Sequence, residues 1–280
     1  MSLPEPRPDS TVLVTGASAG IGEAIAREVA GRGYNVSLVA RRKAKLTGLA
    51  KELRAQHGVK VAVHAADLAV DAQRTRLLAE VRSGRTVIGL CNNAGIGSFG
   101  RIVEHEPEEE DNLVRLNVLA VHELTVQLGR DMVAQGEGAI LNVASILAFA
   151  PVPQNATYAA TKAFVQSFSE ALHAELVGSG VSCTAVFPGP TRTEIFDTSG
   201  APGAAGYGPG FVWQDPEEVA AEAVGAMVKG RRSVVPGWTN KVIAVGYHFT
   251  PRTALLPATR LAQSAPVRRM LLGAGDGNGR

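Results

Sequence analysis

Tyr158 and Lys162, in the segment YAATK, are spaced i, i+4, which puts both side chains on one face if the segment is helical. That pairing suits proton transfer. A free tyrosine ionises near pH 10 and is a poor base at neutrality, and an adjacent ammonium favours its phenolate. Lowering the value to about 7 takes roughly 3 units, or ~4 kcal/mol, within reach of one lysine and a bound cationic ring together. Alone, the same spacing also describes a solvent-facing helical pair. A second set is the glycine loop Thr15-Gly16-Ala17-Ser18-Ala19-Gly20-Ile21-Gly22. Gly16 permits a sharp exit from a strand, Gly20 lets backbone amides approach a pyrophosphate, and Gly22 lets a helix pack close to a sheet. The helix N-terminus then faces phosphates, with Ser18 and Ile21 beside them. The next strand ends Val39-Ala40-Arg41-Arg42, with two guanidiniums where an acid would hold a ribose 2′-hydroxyl. Their planar, always-charged forks suit a 2′-phosphate, so NADP(H) is favoured over NAD(H), although solvated loop arginines would look the same.

The elements needed to position these residues are legible as alternating apolar runs and helical periodicity. Strands are expected at Thr11–Thr15, Asn35–Ala40, Val59–His64, Val87–Asn92, Gly138–Ala144, Val181–Phe187 and, briefly, Ser233–Val235. Between them, helical spacing predicts a helix through Ile21, Ile25 and Val29, then helices over Lys43–His57, Asp71–Ser83, Glu108–Ala134, Thr157–Val177 and Pro216–Lys229. This alternation implies βαβ units in a parallel sheet with right-handed crossovers: an α/β, Rossmann-like doubly wound fold of about seven strands, with a C-terminal helical extension.

Taken singly, Asn117 reads as a satisfied buried amide, Ser145 as a helix N-cap and Asp67 as a turn acid. In order, however, TGASAGIG, Asp67, NNAG at 92–95, Asn117, Ser145, YxxxK at 158–162 and PGPTRT at 188–193 resemble the classical short-chain dehydrogenase/reductase family over about residues 10–235. The resemblance implies that Tyr158 is the general acid/base and that Lys162 holds the nicotinamide ribose and lowers the tyrosine pKa. It makes Ser145 a hydrogen-bond donor to the reacting oxygen, and Asn117 the support of a water-linked proton relay to Lys162. It places Asn92, Asn93, Ala94 and Gly95 beside the adenosine, Asp67 and Leu68 at the adenine, and Pro188, Gly189, Thr191 and Thr193 at the nicotinamide. The implied reaction is hydride transfer between the cofactor and a carbonyl or secondary alcohol, by an enzyme that assembles as a homodimer or homotetramer through the helices at 108–134 and 157–177. A catalytically silent dinucleotide-binding sensor is the alternative from another class, and the Asn117, Ser145, Tyr158 and Lys162 set argues against it. A sugar epimerase or dehydratase would have a G-x-x-G-x-x-G loop instead.

The run Ile146–Pro153 after Ser145, with Ile96, Phe99 and Phe187, points to a hydrophobic substrate. Residues 191–212, with five glycines in Gly200–Gly210, read as a mobile lid. The divisions expected are a flexible segment at 1–10, a catalytic domain at 11–236 and an extension at 237–280, with helices near 238–248 and 252–263. The extension resembles that of one reductase subgroup, with oligomer contact or cover over the active site as its default role and a membrane-surface or acyl-carrier contact as the sharper alternative. Net charge is +2 from 28 basic and 26 acidic residues, which excludes a globally cationic nucleic-acid binder. The sign is uneven: residues 231–280 hold eight basic residues and one acid, leaving the rest of the chain mildly acidic. The two cysteines, Cys91 and Cys183, lie in apolar runs and read as buried thiols of a reducing cytosol. The first ten residues do not form a signal peptide, no apolar run reaches transmembrane length, and the six histidines lack metal-ligand spacing. These features imply a cytoplasmic protein with neither metal nor nucleic-acid partner.

Overall fold

The computed structural model describes residues 2–194 and 213–262. Most of the expected lid and the end of the extension lie outside these residues. Seven strands form one parallel sheet: β1 (Ser10–Thr15), β2 (Val36–Ala40), β3 (Val61–Ala65), β4 (Thr86–Asn92), β5 (Gly138–Val143), β6 (Val181–Val186) and β7 (Ser233–Val234). Their order across the sheet is β3-β2-β1-β4-β5-β6-β7. The chain therefore reverses direction of travel between β1 and β4, where Val14 sits opposite Cys91 and the carboxyl ends of two neighbouring strands open a crevice.

The strands are apolar without alternation because both faces of the sheet are covered. On one side lie α1 (Gly20–Gly31), α2 (Lys43–His57) and α7 (Pro216–Val228), burying Ile25, Val29, Leu46, Leu53, Val224 and Met227. On the other lie α3 (Asp71–Arg82) and α5 (Val121–Gln135), burying Leu77, Leu78, Leu124, Leu128 and Met132. Gly58 closes α2 and Gly136 closes α5, each in the left-handed conformation that glycine adopts without a Cβ penalty. Cys91 and Cys183 are buried in the sheet, as expected.

The expected helix at Glu108–Ala134 is not continuous. It comprises α4 (Pro107–Val114), a π-helical segment at Arg115–Ala120, and α5. A π turn accommodates an extra residue, and such turns cluster at functional sites. Here the segment carries the buried Asn117, whose amide is bound on both sides by neighbouring structure. α6 (Ala156–Glu175) carries the YAATK segment.

The described part of the extension forms α8 (Trp238–Phe249) and α9 (Arg252–Ala262). It packs on the turn after β5 and on α6. Ile243 lies against the cluster of Ala148, Val165 and Phe187, while Leu255 is buried with Ala150, Val152 and Ala159. The Thr259 hydroxyl donates to the Pro151 carbonyl. Among the described residues, no helix is long and apolar enough to cross a membrane.

Candidate active site

The loop from β1 to α1 borders a cleft of about 270 Å³, walled by Gly16, Ser18, Gly20 and Ile21 on one side and by Arg41, Arg42, Asp67 and Leu68 on the other. The helix-capping residue Ala19 provides no side-chain cap, so the amides of the first turn of α1 are left to the cleft. A Cβ at Gly22 would lie 2.3 Å from the Gly16 carbonyl oxygen, so the helix sits as close to the loop as a glycine allows. Gly16 and Gly20 both have positive φ, 68° and 57°. Backbone donors and two guanidiniums for phosphates, with Val39, Ala66 and Leu116 for a flat apolar ring, form a donor set that suits a dinucleotide.

Asn93 supports this loop more than it lines it. Its Nδ2 donates to the Thr15 carbonyl at 3.1 Å, while the amides of Asn93 and Ala94 both donate to Thr15 Oγ1 at 3.0 Å. Thr15 is thus the joint between the glycine loop and the NNAG segment, a role the sequence reading did not assign it. Asp67 is a turn acid as well as a cleft residue: one carboxylate oxygen accepts from the Ala69 amide, and the other lies 4.0 Å from Arg41. Arg74, which the sequence reading also missed, is buried beneath this turn. It donates to the Leu68 carbonyl at 2.8 Å and pairs with Glu123 and Asp71. Its charge is satisfied on three sides, as a buried guanidinium requires.

A second cleft, of about 320 Å³, shares Ile21, Asn93, Gly95 and Thr193 with the first and continues to Ser145, Tyr158, Lys162, Pro188, Gly189 and Thr191. Ser145 caps the turn Ile146–Phe149, its Oγ accepting from the Leu147 amide at 3.2 Å. That leaves the hydroxyl proton for Tyr158, with which Ser145 also hydrogen-bonds. The capping and catalytic readings of Ser145 are therefore compatible. Lys162 is buried, with Nζ donating to the Val143 carbonyl at 2.9 Å and standing 5.7 Å from the centre of the Tyr158 ring. Gln154, just before α6, has φ 63°, a left-handed conformation costly for a residue with a Cβ. Its carbonyl accepts from the Gly100 amide, tying the start of α6 to the opposite wall.

In the free chain, burial acts on both members of the pair. Burial pushes the Tyr158 phenol up, and the Ser145 hydrogen bond only partly offsets it. Burial pushes Lys162 down to about 8. Both groups are thus driven toward their neutral forms, because a low-dielectric pocket penalises either charge.

Asn117 does not border either cleft. Its Oδ1 accepts from the Ile96 amide at 3.0 Å, and its Nδ2 donates to the Ile96 carbonyl and to Thr161 Oγ1. A Cβ at Gly95 would meet Asn117 Oδ1 at 3.1 Å and Lys162 Nζ at 3.5 Å, so only glycine lets the backbone pass between them comfortably. The apolar run after Ser145 also divides. Ile146 and Leu147 wall the second cleft, whereas Ala148, Ala150 and Val152 are buried against neighbouring elements. Phe187 is not a wall residue: it is 1% exposed and packs against Phe149 in a tilted pair with ring centres 4.7 Å apart. Phe99 lines the second cleft and Ile96 the first. Gly189 lies against α8, where Asn240 Nδ2 donates to Gln214 Oε1 at 2.7 Å. The extension therefore backs the PG segment, which the sequence could not reveal.

Three comparisons agree with this geometry. A short-chain dehydrogenase from Sphingobium yanoikuyae, solved in complex with NADPH, superposes with a TM-score of 0.78 at 34% identity, covering 91% of this chain and 98% of that one. The very-long-chain 3-oxoacyl-CoA reductase of Anas platyrhynchos is 33% identical over 77% of this chain and 68% of its own length. The 7beta-hydroxysteroid dehydrogenase of Collinsella aerofaciens is 31% identical over 82% and 86%. Some other curated relatives are spanned over only 51–63% of their length. The sequence model of the short chain dehydrogenase family matches residues 10–202, from the first strand past the PG segment. With the sheet order, the glycine loop and the Ser145, Tyr158 and Lys162 cluster, that match makes the chain a member of the short-chain dehydrogenase family of oxidoreductases.

Proposed function

We propose that the protein is an NADP(H)-dependent oxidoreductase that interconverts a carbonyl and a secondary alcohol on a hydrophobic substrate, with Tyr158 as general acid/base. The observation that carries this reading is the convergence of Tyr158, Ser145 and Lys162 on a cleft that shares walls with the glycine-loop cleft. Arg41 and Arg42 support NADP(H) over NAD(H), and the NADPH held by the Sphingobium structure supports the dinucleotide itself. Ile146, Leu147, Phe99 and Val143 support an apolar substrate, as do the very-long-chain and hydroxysteroid names of the relatives.

When bound, the dinucleotide supplies the hydride. The chain's own residues do the rest. Tyr158, neutral in its buried setting, gives its proton to the carbonyl oxygen as negative charge develops there. Ser145 hydrogen-bonds the same oxygen, its own acceptor position already occupied by the Leu147 amide. Lys162 places a cation beside the phenol and stabilises the phenolate left behind. Asn117 fixes the Gly95–Ile96 backbone between the two clefts. Gly16, Ser18, Gly20 and Ile21 would hold the phosphates, Asp67 and Leu68 the adenine, and Pro188, Gly189, Thr191 and Thr193 the nicotinamide side. Residues 11–236 are read as the catalytic domain and the extension as the outer support of the substrate cleft. Exposed Leu119 at the end of the π segment, with Val126 and Val133 on α5, supports pairing of two copies along this stretch.

NADPH oxidation with a panel of bulky ketones tests the proposal. Turnover should appear with NADPH, and Tyr158→Phe should reduce it by roughly a hundredfold or more while leaving NADPH affinity within about twofold. Retained activity in that variant would refute the assignment.

A further inference from the structure

Arg42 stands at the N-cap of α2 and Lys45 in its first turn, which contains no acid. The two cations converge on one carboxylate. Arg42 Nη1 donates to Glu194 Oε2 at 2.7 Å, and Lys45 Nζ donates to Glu194 Oε1 at 2.9 Å. The other edge of the Arg42 guanidinium donates to Ser18 Oγ at 3.1 Å and to the Ser18 carbonyl. Glu194 thus lies where one anion touches two cations, with the Ser18 hydroxyl at the shared arginine. Its position is held from the other side too, because Thr193 packs so closely on Gly20 that a Cβ there would lie 2.8 Å from the threonine methyl.

The carboxylate also separates two spaces. Arg41 and Arg42 line the glycine-loop cleft, whereas Lys45 lines only a neighbouring cleft, and Thr193 and Glu194 form a wall of both. Arg41 is occupied by Asp67 at 4.0 Å. Among the described residues, Arg41, Arg42 and Lys45 around the cleft mouth are each paired with a carboxylate from another loop.

A carboxylate bridging an arginine and a lysine occupies the same chemical position as a phosphate monoester. Resting on the reading of an NADP(H) site above, we infer that Lys45 is a further specificity-determining residue of the 2′-phosphate site, and that Glu194 occupies this site as an internal anion which an incoming 2′-phosphate displaces. A phosphate carries nearly two charges and three acceptor oxygens, so it outcompetes a single carboxylate for two cations and a hydroxyl. A neutral ribose 2′-hydroxyl offers neither and leaves Glu194 in place. The carboxylate therefore keeps the two cations paired while no 2′-phosphate is bound, and it lowers affinity for the cofactor that carries the phosphate without hindering the one that lacks it.

The test is calorimetric binding of 2′,5′-ADP and 5′-AMP to the full chain, wild type, Glu194→Gln and Lys45→Met. Wild type should bind 2′,5′-ADP at least tenfold more tightly than 5′-AMP. Glu194→Gln should tighten 2′,5′-ADP by about two- to fivefold, the range of an exposed ion pair removed from competition. Lys45→Met should weaken it by a similar factor, and both variants should leave 5′-AMP within about twofold. No preference for 2′,5′-ADP in the wild type would overturn the cofactor reading itself. A preserved preference that Glu194→Gln fails to increase would overturn the displacement while leaving the cofactor reading intact. An equal loss of both nucleotides in that variant would make Glu194 a support of the fold. An unchanged ratio in Lys45→Met would place Lys45 outside the phosphate site.

Discussion

Replacing Lys162 with methionine should change the pH dependence of stability by an amount that follows from the structure. Burial lowers the Lys162 pKa to about 8, whereas an unfolded lysine titrates near 10.4. Below pH 8 the folded protein carries a buried ammonium at a cost of about 3 kcal/mol, and between pH 8 and 10.4 the unfolded state binds more protons than the folded one. Stability from this group therefore rises with pH across that window, and the cost falls to about 1.4 kcal/mol by pH 9.5. Methionine keeps most of the stem but cannot donate to Val143, which leaves a buried carbonyl unpaired at about 1–3 kcal/mol. The two terms nearly offset one another at pH 7, so the absolute difference there is small. The slope is the decisive quantity. Guanidinium unfolding without cofactor should show the wild type gaining about 2 kcal/mol relative to Lys162→Met between pH 7 and 9.5. The buried thiols of Cys91 and Cys183, pushed up to about 12, contribute equally to both proteins and cancel. Parallel stability curves across this range would mean that Lys162 carries no burial penalty, and the account of the pair would fail.

Two further substitutions probe the walls of the site. Arg41→Ala combined with Arg42→Ala should raise the KM for NADPH by roughly tenfold or more, with a much smaller effect for NADH, since charge-assisted hydrogen bonds to the 2′-phosphate are lost. An equal effect on both cofactors in steady-state kinetics would remove the arginines from 2′-phosphate recognition. Asn240→Ala deletes the buried hydrogen bond to Gln214 behind Gly189, and should cost about 1–3 kcal/mol and lower Tm by several degrees. A calorimetric scan with unchanged Tm would show that α8 is not a support of the PG segment.

The readable and unreadable parts of the site differ in how local their causes are. The glycine loop and YxxxK could be read because a strand end, a tight turn and an i, i+4 pair are each fixed within a few residues. The π segment around Asn117 could not, because LVRLNVLAV has an ordinary helical pattern and Asn117 finds its partner in the Ile96 backbone across the fold. The run after Ser145 misled for a related reason. An apolar stretch reads the same whether it faces a cleft or a packed helix, and α8 and α9 bury the part beyond Leu147. Arg74 and Asn240 act through partners far away in the chain, Glu123 and Gln214, and nothing near them in the sequence marks them. The expected extent of the lid lies mostly outside the described residues, and its described end, Thr191–Glu194, contributes to cofactor-side walls rather than to a cover.

The proposed acid/base pair and the proposed cofactor site shape the reaction by different physics. Burial pushes the Tyr158 phenol up, toward the protonated form that gives a proton to a carbonyl oxygen. Oxidation needs the phenolate, and burial makes that form costly unless a cation lies nearby. Lys162 is the cation at hand, yet its own pKa near 8 means that raising the charge on either group depends on the other. In the proposed reading, the arginine pair after β2 favours the phosphorylated dinucleotide on the adenosine side of Gly95, whose backbone Asn117 braces through Ile96. If that cofactor is held mainly reduced, its supply favours alcohol formation, while the acid/base pair lowers a barrier shared by both directions. Loss of the lysine should therefore lower kcat/KM for carbonyl reduction and for alcohol oxidation by the same factor at one pH, because both directions cross one transition state; unequal losses in initial-rate assays would refute this.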